Sequence, residues 1–340
     1  MKEKILSKVY TLNNPKELVL KEEFIEVDDL SDRQIVCETV YSAISPGTEV
    51  AAYKGLPPLK DSVIYPRILG YCNLAMVISV GKNIDCMQTG DYILTFQSHR
   101  SHFVIKDSDF FIKIEKDNDL KKLTSTYLFH LGYHSLLTAD VRLGYNIGII
   151  GAGTLGYSTC VMSNIAGFQT FLFTNQLQAK KKIEDTGSYF LQKKSTYKEF
   201  INSQTNGVGL DVIINTSNRW EDWFLALDAI QAGGTIVNLG FPGRGEPNSR
   251  NNPLDPQFVY QKSLKIKALS YLSDKELLPQ ENRFTLKNNL NYLIGLINRG
   301  KLNSKEIYTE EVHFTELQHQ YTKYASKNTF MLSTLLRWKN

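Results

Sequence analysis

The pattern of apolar and polar positions changes character part-way along the chain. Up to about residue 123, apolar residues come in short runs, often alternating with polar ones, and Gly, Asp and Pro separate the runs. Alternation marks a strand with one buried face, and Gly or Asp clusters mark turns. This predicts strands at Glu17–Glu23, Gln34–Ser42, Leu74–Val80, Tyr92–Phe96, Ser101–Ile105 and Phe111–Ile114. Ser45-Pro46-Gly47 breaks the chain, Thr48–Tyr53 reads as one helical turn, and Thr89-Gly90-Asp91 reads as a tight turn. Many short strands of this kind predict a barrel-like β domain.

From about residue 124 the period changes. Helical stretches at Ser125–Ala139, Leu155–Ala166, Gln176–Thr186 and Trp220–Ala232 alternate with apolar runs at Ile147–Ile150, Gln169–Phe173, Asp211–Asn215, Thr235–Leu239 and Leu264–Ser270. Strand–helix alternation predicts a parallel, doubly wound sheet. The chain then turns helical at Leu286–Arg299. It ends on a strand at Glu310–Phe314, a helix near Glu316–Ala325 and a strand at Phe330–Leu336, which are expected to rejoin the first domain. The fold class expected is α/β, with a first domain of residues 1–123 and 272–340 and a second of 124–271.

The most informative stretch is Asn146–Gly156, a buried strand running into Gly151-Ala152-Gly153-Thr154-Leu155-Gly156. This G-x-G-x-x-G loop has the strand before it and the helix after it that a dinucleotide site needs. The first Gly permits the tight turn, the second lets backbone approach a pyrophosphate, and the third lets helix and strand pack closely. Free N–H groups of the following helix, from Thr154 and Leu155 on, would face the phosphates. A membrane span is a competing reading, because no charged residue lies between Arg142 and Lys180. The segment is broken by Gly, Asn and Gln and has no unbroken apolar run of ~18 residues, so a buried strand–helix–strand unit explains it better.

Composition adds exclusions. The 340 residues suit two domains, and a net charge of +4 with scattered basic residues gives no electrostatic case for nucleic acid. The first residues lack the apolar core of a secretory signal, and Cys37, Cys72, Cys86 and Cys160 form no C-x-x-C pair. Free thiols and a cytoplasmic location are the expectation, with no membrane partner.

Several motifs in order resemble the medium-chain dehydrogenase/reductase superfamily over nearly the whole chain. They are Ile68-Leu69-Gly70-Tyr71, Val80-Gly81, Gly90-Asp91-Tyr92-Ile93, the glycine loop, Asp211–Ser217, Ala232–Gly240 and Gly300-Lys301-Leu302. The resemblance implies a GroES-like β-barrel catalytic domain, a Rossmann domain with the active site in the cleft, and a homodimer paired along Leu264–Ser270. It also places Thr216, Ser217, Leu239, Gly240 and Phe241 beside the nucleotide. Ser42–Glu49 with Gly70-Tyr71 resembles a branch that includes bacteriochlorophyllide-dehydrogenase-like oxidoreductases.

Zinc-bearing members hold the metal through Cys, His and a further Cys or acid. The matching positions here are Ser45, Tyr71 and about Leu128, which cannot replace thiolate and imidazole. The lobe for a structural zinc is missing, because nine residues separate Asp91 from Ser101. His130 and His134 are spaced i, i+4 but lack an H-E-x-x-H context and a third ligand, and His99 and His102 read as barrel-edge residues. A zinc-independent enzyme is expected. NAD sites usually carry Asp or Glu about 20 residues past the glycines. None occurs from Tyr157 to Ile183, where Thr174, Asn175 and the run Lys180–Lys182 stand instead. Neutral groups with a lysine suit a 2′-phosphate, so NADPH is expected over NADH, read by Thr174, Asn175 and Lys180.

Without zinc, hydroxyl and imidazole groups must serve the developing alkoxide. Tyr71 as donor and Ser45 as orienting group are the first candidates, with Tyr53 and His134 behind them. Ser45 could instead shape a turn, Tyr71 line a pocket, Tyr53 pack, His134 be a satisfied helix residue, and Glu49 anchor the loop by capping N–H groups. An aromatic-rich pocket from Ser45–Tyr53, Tyr71, Phe96–His99, Phe129–Tyr133 and Phe241–Arg244 is expected. The function expected is hydride transfer between NADPH and a ketone or secondary alcohol of a biosynthetic intermediate. The alternatives are reduction of a C=C bond conjugated to a carbonyl, as in quinone-oxidoreductase-like enzymes, and non-catalytic NADPH binding.

Overall fold

The computed structural model describes residues 4–27, 31–57, 65–194, 196–269, 283–326 and 329–339. The chain divides into two compact units, Met1–Tyr127 with Lys287–Asn340, and Leu128–Leu286.

The first unit begins with β1 (Lys4–Asn14), β2 (Glu17–Glu26), β3 (Gln34–Ala43), α1 (Pro46–Tyr53), β4 (Arg67–Ile68), β5 (Asn73–Val80), β6 (Tyr92–Thr95), β7 (His102–Lys106), β8 (Phe111–Ile114) and α2 (Leu120–Thr124). Next come α3 (Thr126–Thr138), β9 (Asn146–Ile150), α4 (Thr154–Ile165), β10 (Gln169–Phe173), α5 (Lys180–Glu184), β11 (Tyr189–Leu191), α6 (Tyr197–Gln204), β12 (Leu210–Asn215), α7 (Trp220–Ala229), β13 (Ile230–Asn238) and β14 (Lys265–Ala268). The chain closes with α8 (Leu286–Asn298), β15 (Tyr308–His313), α9 (Leu317–Ser326) and β16 (Ser333–Arg337), the last three within the first unit.

In the first unit, β3 is the central strand. One edge pairs with β5, while the other is shared, Gln34–Glu38 with β7 and Tyr41–Ala43 with β16. Register shifts at Val36/Cys37 and Thr39/Tyr41 turn the strand between these partners. The main sheet follows the open path β15-β16-β3-β5-β6-β8, and β2-β1-β4 forms a small second sheet. The expected barrel does not close among the described residues, because β15 and β8 end the path without pairing each other. Ile35, Cys37, Ala75, Val77, Ile93 and Phe103 fill one core, and Tyr10, Leu12, Ile44, Val50, Leu317 and Leu336 fill another. The return of β16 and α9 is the physical reason the terminal segment belongs here: its apolar face completes that second core.

The second unit is a six-stranded parallel sheet in the order β11-β10-β9-β12-β13-β14. Numbered within the unit this is 3-2-1-4-5-6, the doubly wound dinucleotide-binding order. Every residue of β9 is buried, which is why Ile147–Ile150 reads as an unbroken apolar run. Register aligns Phe173, Ile150, Asn215 and Asn238 across four strands. The residues that follow, Thr174, Gly151, Thr216 and Leu239, therefore form one row along the carboxyl edge.

Three helices are shorter than their patterns predict. Ser125 is a turn between α2 and α3, and Gln176–Thr186 resolves into a single 3-10 turn, Leu177–Ala179, followed by α5. The stretch Trp220–Ala232 ends as helix at Ala229, because Lys262 donates to the carbonyls of Leu227, Asp228 and Ile230 and caps the end. Strand Leu264–Ser270 is reduced to Lys265–Ala268 at the sheet edge, and Ser270 lies outside the described residues. The strands β1, β4 and β11 and the helix α6 are not anticipated by the hydrophobic pattern.

Candidate functional site

The second unit supplies a row of backbone along the carboxyl edge of its sheet. Gly151 has φ +104°, and a Cβ there would lie 2.6 Å from Thr216 Oγ1. A Cβ on Gly156 would lie 1.8 Å from the Gly151 carbonyl oxygen, so helix α4 can approach β9 only through glycine. Gly153, the N-cap of α4, is exposed, and a Cβ added there would meet no heavy atom within 4 Å. The loop is thus closed on its two outer glycines and open at the middle one, the arrangement that a pyrophosphate over a helix N-terminus requires. Thr154 is buried and Leu155 half-buried behind it.

The rest of the row follows. Thr216 donates its hydroxyl to Ile150 O at 2.8 Å, and the Ser217 amide donates to Asn215 Oδ1 at 3.1 Å. The amides of Leu239 and Gly240 both donate to Asn215 O, and the Phe241 amide donates to Asn218 Oδ1 at 2.8 Å. Phe241 is 43% exposed, and the Arg244 guanidinium lies over its ring at 5.8 Å. At the end of β10, Thr174 is buried and its Oγ1 accepts from the Gln176 amide at 3.1 Å. Asn175 accepts the Lys193 amide on Oδ1 at 3.1 Å, which leaves its Nδ2 to donate. Lys180 is exposed and lies 3.8 Å from Glu184, one turn along α5.

The first unit holds a buried polar network around Glu49, which is 1% exposed. Glu49 Oε1 accepts the Ser45 amide at 2.8 Å. Glu49 Oε2 meets His99 Nε2 at 2.9 Å and accepts the Tyr321 hydroxyl at 2.6 Å. Ser42 Oγ lies 2.9 Å from His99 Nδ1 and accepts Trp338 Nε1–H at 2.8 Å. One proton arrangement satisfies every group. Trp338 donates to Ser42, Ser42 donates to His99 Nδ1, and His99 Nε2–H donates to the carboxylate. At the other end, Tyr71 donates its hydroxyl to Ser45 Oγ. Burial pushes the Tyr71 phenol far above its ordinary range, and Cys72 and then Glu49 add to the shift against the opposing hydrogen bonds from Ser45 and Thr48.

These positions sort the expected site residues. Ser45 and Tyr71 come together as a hydrogen-bonded pair. Glu49 does anchor the loop, by capping the Ser45 N–H. Tyr53 packs in the core, with its hydroxyl 3.1 Å from Gln318 Nε2 and 3.3 Å from Thr322 Oγ1 on α9, so its polar atom is engaged there. His99 is not an edge residue: it is fully buried at the centre of the network. His102 is half-buried on β7, 3.8 Å from Glu38. His134 lies on α3 in the second unit with its ring centroid 5.4 Å from that of His130, and burial lowers the pKa of both, that of His130 to about 3. His130 is buried and His134 half-buried on the same face of α3. Sequence reasoning missed Tyr321, Trp338 and the central place of His99. Their partners lie tens to hundreds of residues away, and no local spacing signals them.

Zinc needs thiolate, imidazole or carboxylate donors. Ser45 and Tyr71 offer a hydroxyl and a phenol bonded to each other, the phenol strongly disfavours ionisation, and Leu128 is a fully buried aliphatic. These residues do not fit zinc. Among the described residues no group of three or more His, Cys, Asp or Glu is placed to hold a metal ion.

No family model matches the chain. Sorbitol dehydrogenase of Bacillus subtilis (strain 168) is 25% identical over 142 residues, 41% of this chain and 38% of that protein. NADP-dependent isopropanol dehydrogenase of Clostridium beijerinckii is 22% identical over 218 residues, 53% of this chain and 62% of that protein. The matches thus span less than two thirds of either relative. Among solved structures, L-idonate 5-dehydrogenase from Escherichia coli is similar with a TM-score of 0.81 and 12% identity, covering 99% of both chains. A Rossmann-type parallel sheet, set in the chain order between the two segments of a β-rich unit, agrees with that likeness, and the chain carries the fold of the medium-chain dehydrogenase/reductase superfamily.

Proposed function

We propose that this chain is a zinc-independent oxidoreductase that uses NADP(H) and acts on a secondary alcohol, or the matching ketone, of a biosynthetic intermediate. The observation that carries the reading is the carboxyl-edge row of the second unit, with the glycine loop closed at Gly151 and Gly156 and open at Gly153. Relatives by sequence that are alcohol and polyol dehydrogenases support the substrate class. When bound, the nicotinamide supplies or takes up a hydride.

The chain's own residues do the rest. The amides at the start of α4 hold pyrophosphate through the helix dipole. The end of β10 presents Thr174 and Asn175 and no carboxylate, so a 2′-phosphate meets hydrogen-bond donors rather than a like charge, with Lys180 in reach along α5. Tyr71 donates to Ser45 Oγ, which directs the Ser45 proton away from Tyr71 and towards an incoming oxygen. A hydroxyl pair so arranged stabilises a developing alkoxide and passes it a proton.

The test is NADPH oxidation by the purified, chelator-treated protein over a panel of aliphatic and aromatic ketones, with the reverse reaction on the alcohols. Turnover without bound zinc supports the reading. Stoichiometric zinc by elemental analysis, with activity lost on chelation and restored by zinc, contradicts it.

A further inference from the structure

The polar network of the first unit has an unusual feature at its Ser45–Tyr71 end. Ser45 is the N-cap of α1, yet its side chain makes no cap bond to the helix. A serine at this position ordinarily satisfies an orphan N–H. Here Oγ faces Tyr71 instead, and the loop is held by a bond running the other way, from the Ser45 amide to Glu49 Oε1. The Thr48 N–H, which a capping serine would take, donates to the Ser45 carbonyl at 3.2 Å, which lowers the cost of that choice.

A buried carboxylate is tolerated only with its lone pairs filled. Glu49 has three donors, the Ser45 amide, His99 Nε2–H and the Tyr321 hydroxyl, drawn from three separate parts of the unit. His99 is itself fixed by Ser42 and by its amide, which donates to Leu69 O at 2.9 Å. Gly70 makes this approach possible: its φ is +98°, and a Cβ there would lie 2.8 Å from the His99 ring. Gly70 directly precedes Tyr71. The same carboxylate therefore ties down the backbone of Ser45 on one side and, through His99 and Gly70, the link between β4 and β5 that carries Tyr71 on the other.

We propose that Glu49 is the positioning residue of the Tyr71–Ser45 pair. It holds Ser45 Oγ free of helix-capping duty and within reach of the Tyr71 hydroxyl, and it does not itself touch substrate. The use of the pair in proton transfer rests on the function proposed above, whereas the positioning is a property of the unliganded chain.

The experiment is nuclear magnetic resonance on full-length protein labelled with 15N and with 13C at tyrosine Cζ, without nucleotide or substrate, the Tyr71 signal being assigned by Tyr71→Phe. In the wild type the Ser45 amide is expected to be shifted downfield and protected from exchange. In Glu49→Gln that protection falls by about tenfold to a hundredfold, the loss of a charge-assisted hydrogen bond, and the Tyr71 Cζ resonance moves. A folded Glu49→Gln protein with unchanged Ser45 exchange and unchanged Tyr71 Cζ overturns the proposal and leaves Glu49 a core polar residue. Should that variant not fold, the wild type decides: a Ser45 amide that exchanges as fast as an unprotected helix N-terminus also overturns it. No turnover enters either readout, so a failure here is distinct from failure of the proposed activity, which shows as absent NADPH oxidation.

Discussion

Ser45 and Tyr71, expected from the resemblance to stand where metal-bearing members place ligands, meet through a hydroxyl–hydroxyl bond. Replacing Tyr71 by Phe keeps the ring and its edge contact with Tyr127, at 5.6 Å between centroids, and removes only the donor. Turnover should fall by about a hundredfold, the usual scale for a positioned acid, while NADPH affinity stays unchanged. Steady-state kinetics with a binding titration checks this, and unchanged turnover would leave Tyr71 a pocket wall. Legible at this scale was Glu49 as an anchor of the Ser45 loop, because a carboxylate beside a helix N-terminus accepts backbone N–H groups. What was not legible was partnership. Glu49 is four residues from Ser45 and could be read as a loop anchor, but His99, Tyr321 and Trp338 join its network only through tertiary packing.

At the scale of elements, hydrophobic period located most strands and helices but not β1, β4, β11 or α6, and one helix end was misplaced where a side chain overrides the period. The helix predicted over Trp220–Ala232 stops at Ala229 because Lys262, some thirty residues on, donates to three carbonyls at 2.7–3.1 Å. Burial lowers the pKa of this ammonium and Asp228 opposes the shift, and its charge complements the negative end of the α7 dipole. Lys262→Met keeps much of the apolar stem and removes the cap, and should cost about 1 kcal/mol, read as a lower denaturation midpoint at unchanged slope. No loss of stability would mean that water caps the helix equally well. Strand β1 shows the opposite difficulty. It is not anticipated, although β2 is read from Glu17–Glu23, and the cross-strand pairs Lys4↔Glu26 and Lys8↔Glu22 make the charges of the two strands compatible with a ribbon.

At the scale of the molecule, the two units differ in how openly sequence declares them. The parallel sheet is written locally in glycines and unbroken apolar strands, whereas the β-rich unit is assembled from segments at both ends of the chain and its sheet stays open. Stability of the whole should depend on acid through buried His130. Its pKa is about 3 in the fold and near 6.5 when unfolded, so between those values the unfolded chain binds the extra proton. The free energy of unfolding then falls as pH drops through that window, by at most about 1.4 kcal/mol per unit from this group. His130→Phe should flatten the acid limb across the upper part of that window, from pH 6.5 downwards, in denaturant melts, with unchanged slope contradicting the assignment. Carboxylates such as Asp91, where burial raises the pKa but the Lys113 partner outweighs it and lowers the net value, act in the same direction and remain in both proteins.

The central claim is that the carboxyl edge of the second unit holds NADP(H) through Gly151–Gly156 and the end of β10. Calorimetric titration of the purified protein with NADPH and with NADH tests it most directly. The account predicts one site per chain, NADPH bound at least about tenfold more tightly than NADH, and binding abolished by Gly153→Val, whose Cβ meets no heavy atom within 4 Å and leaves the fold intact. Tighter binding of NADH, or no binding of either nucleotide, would contradict it.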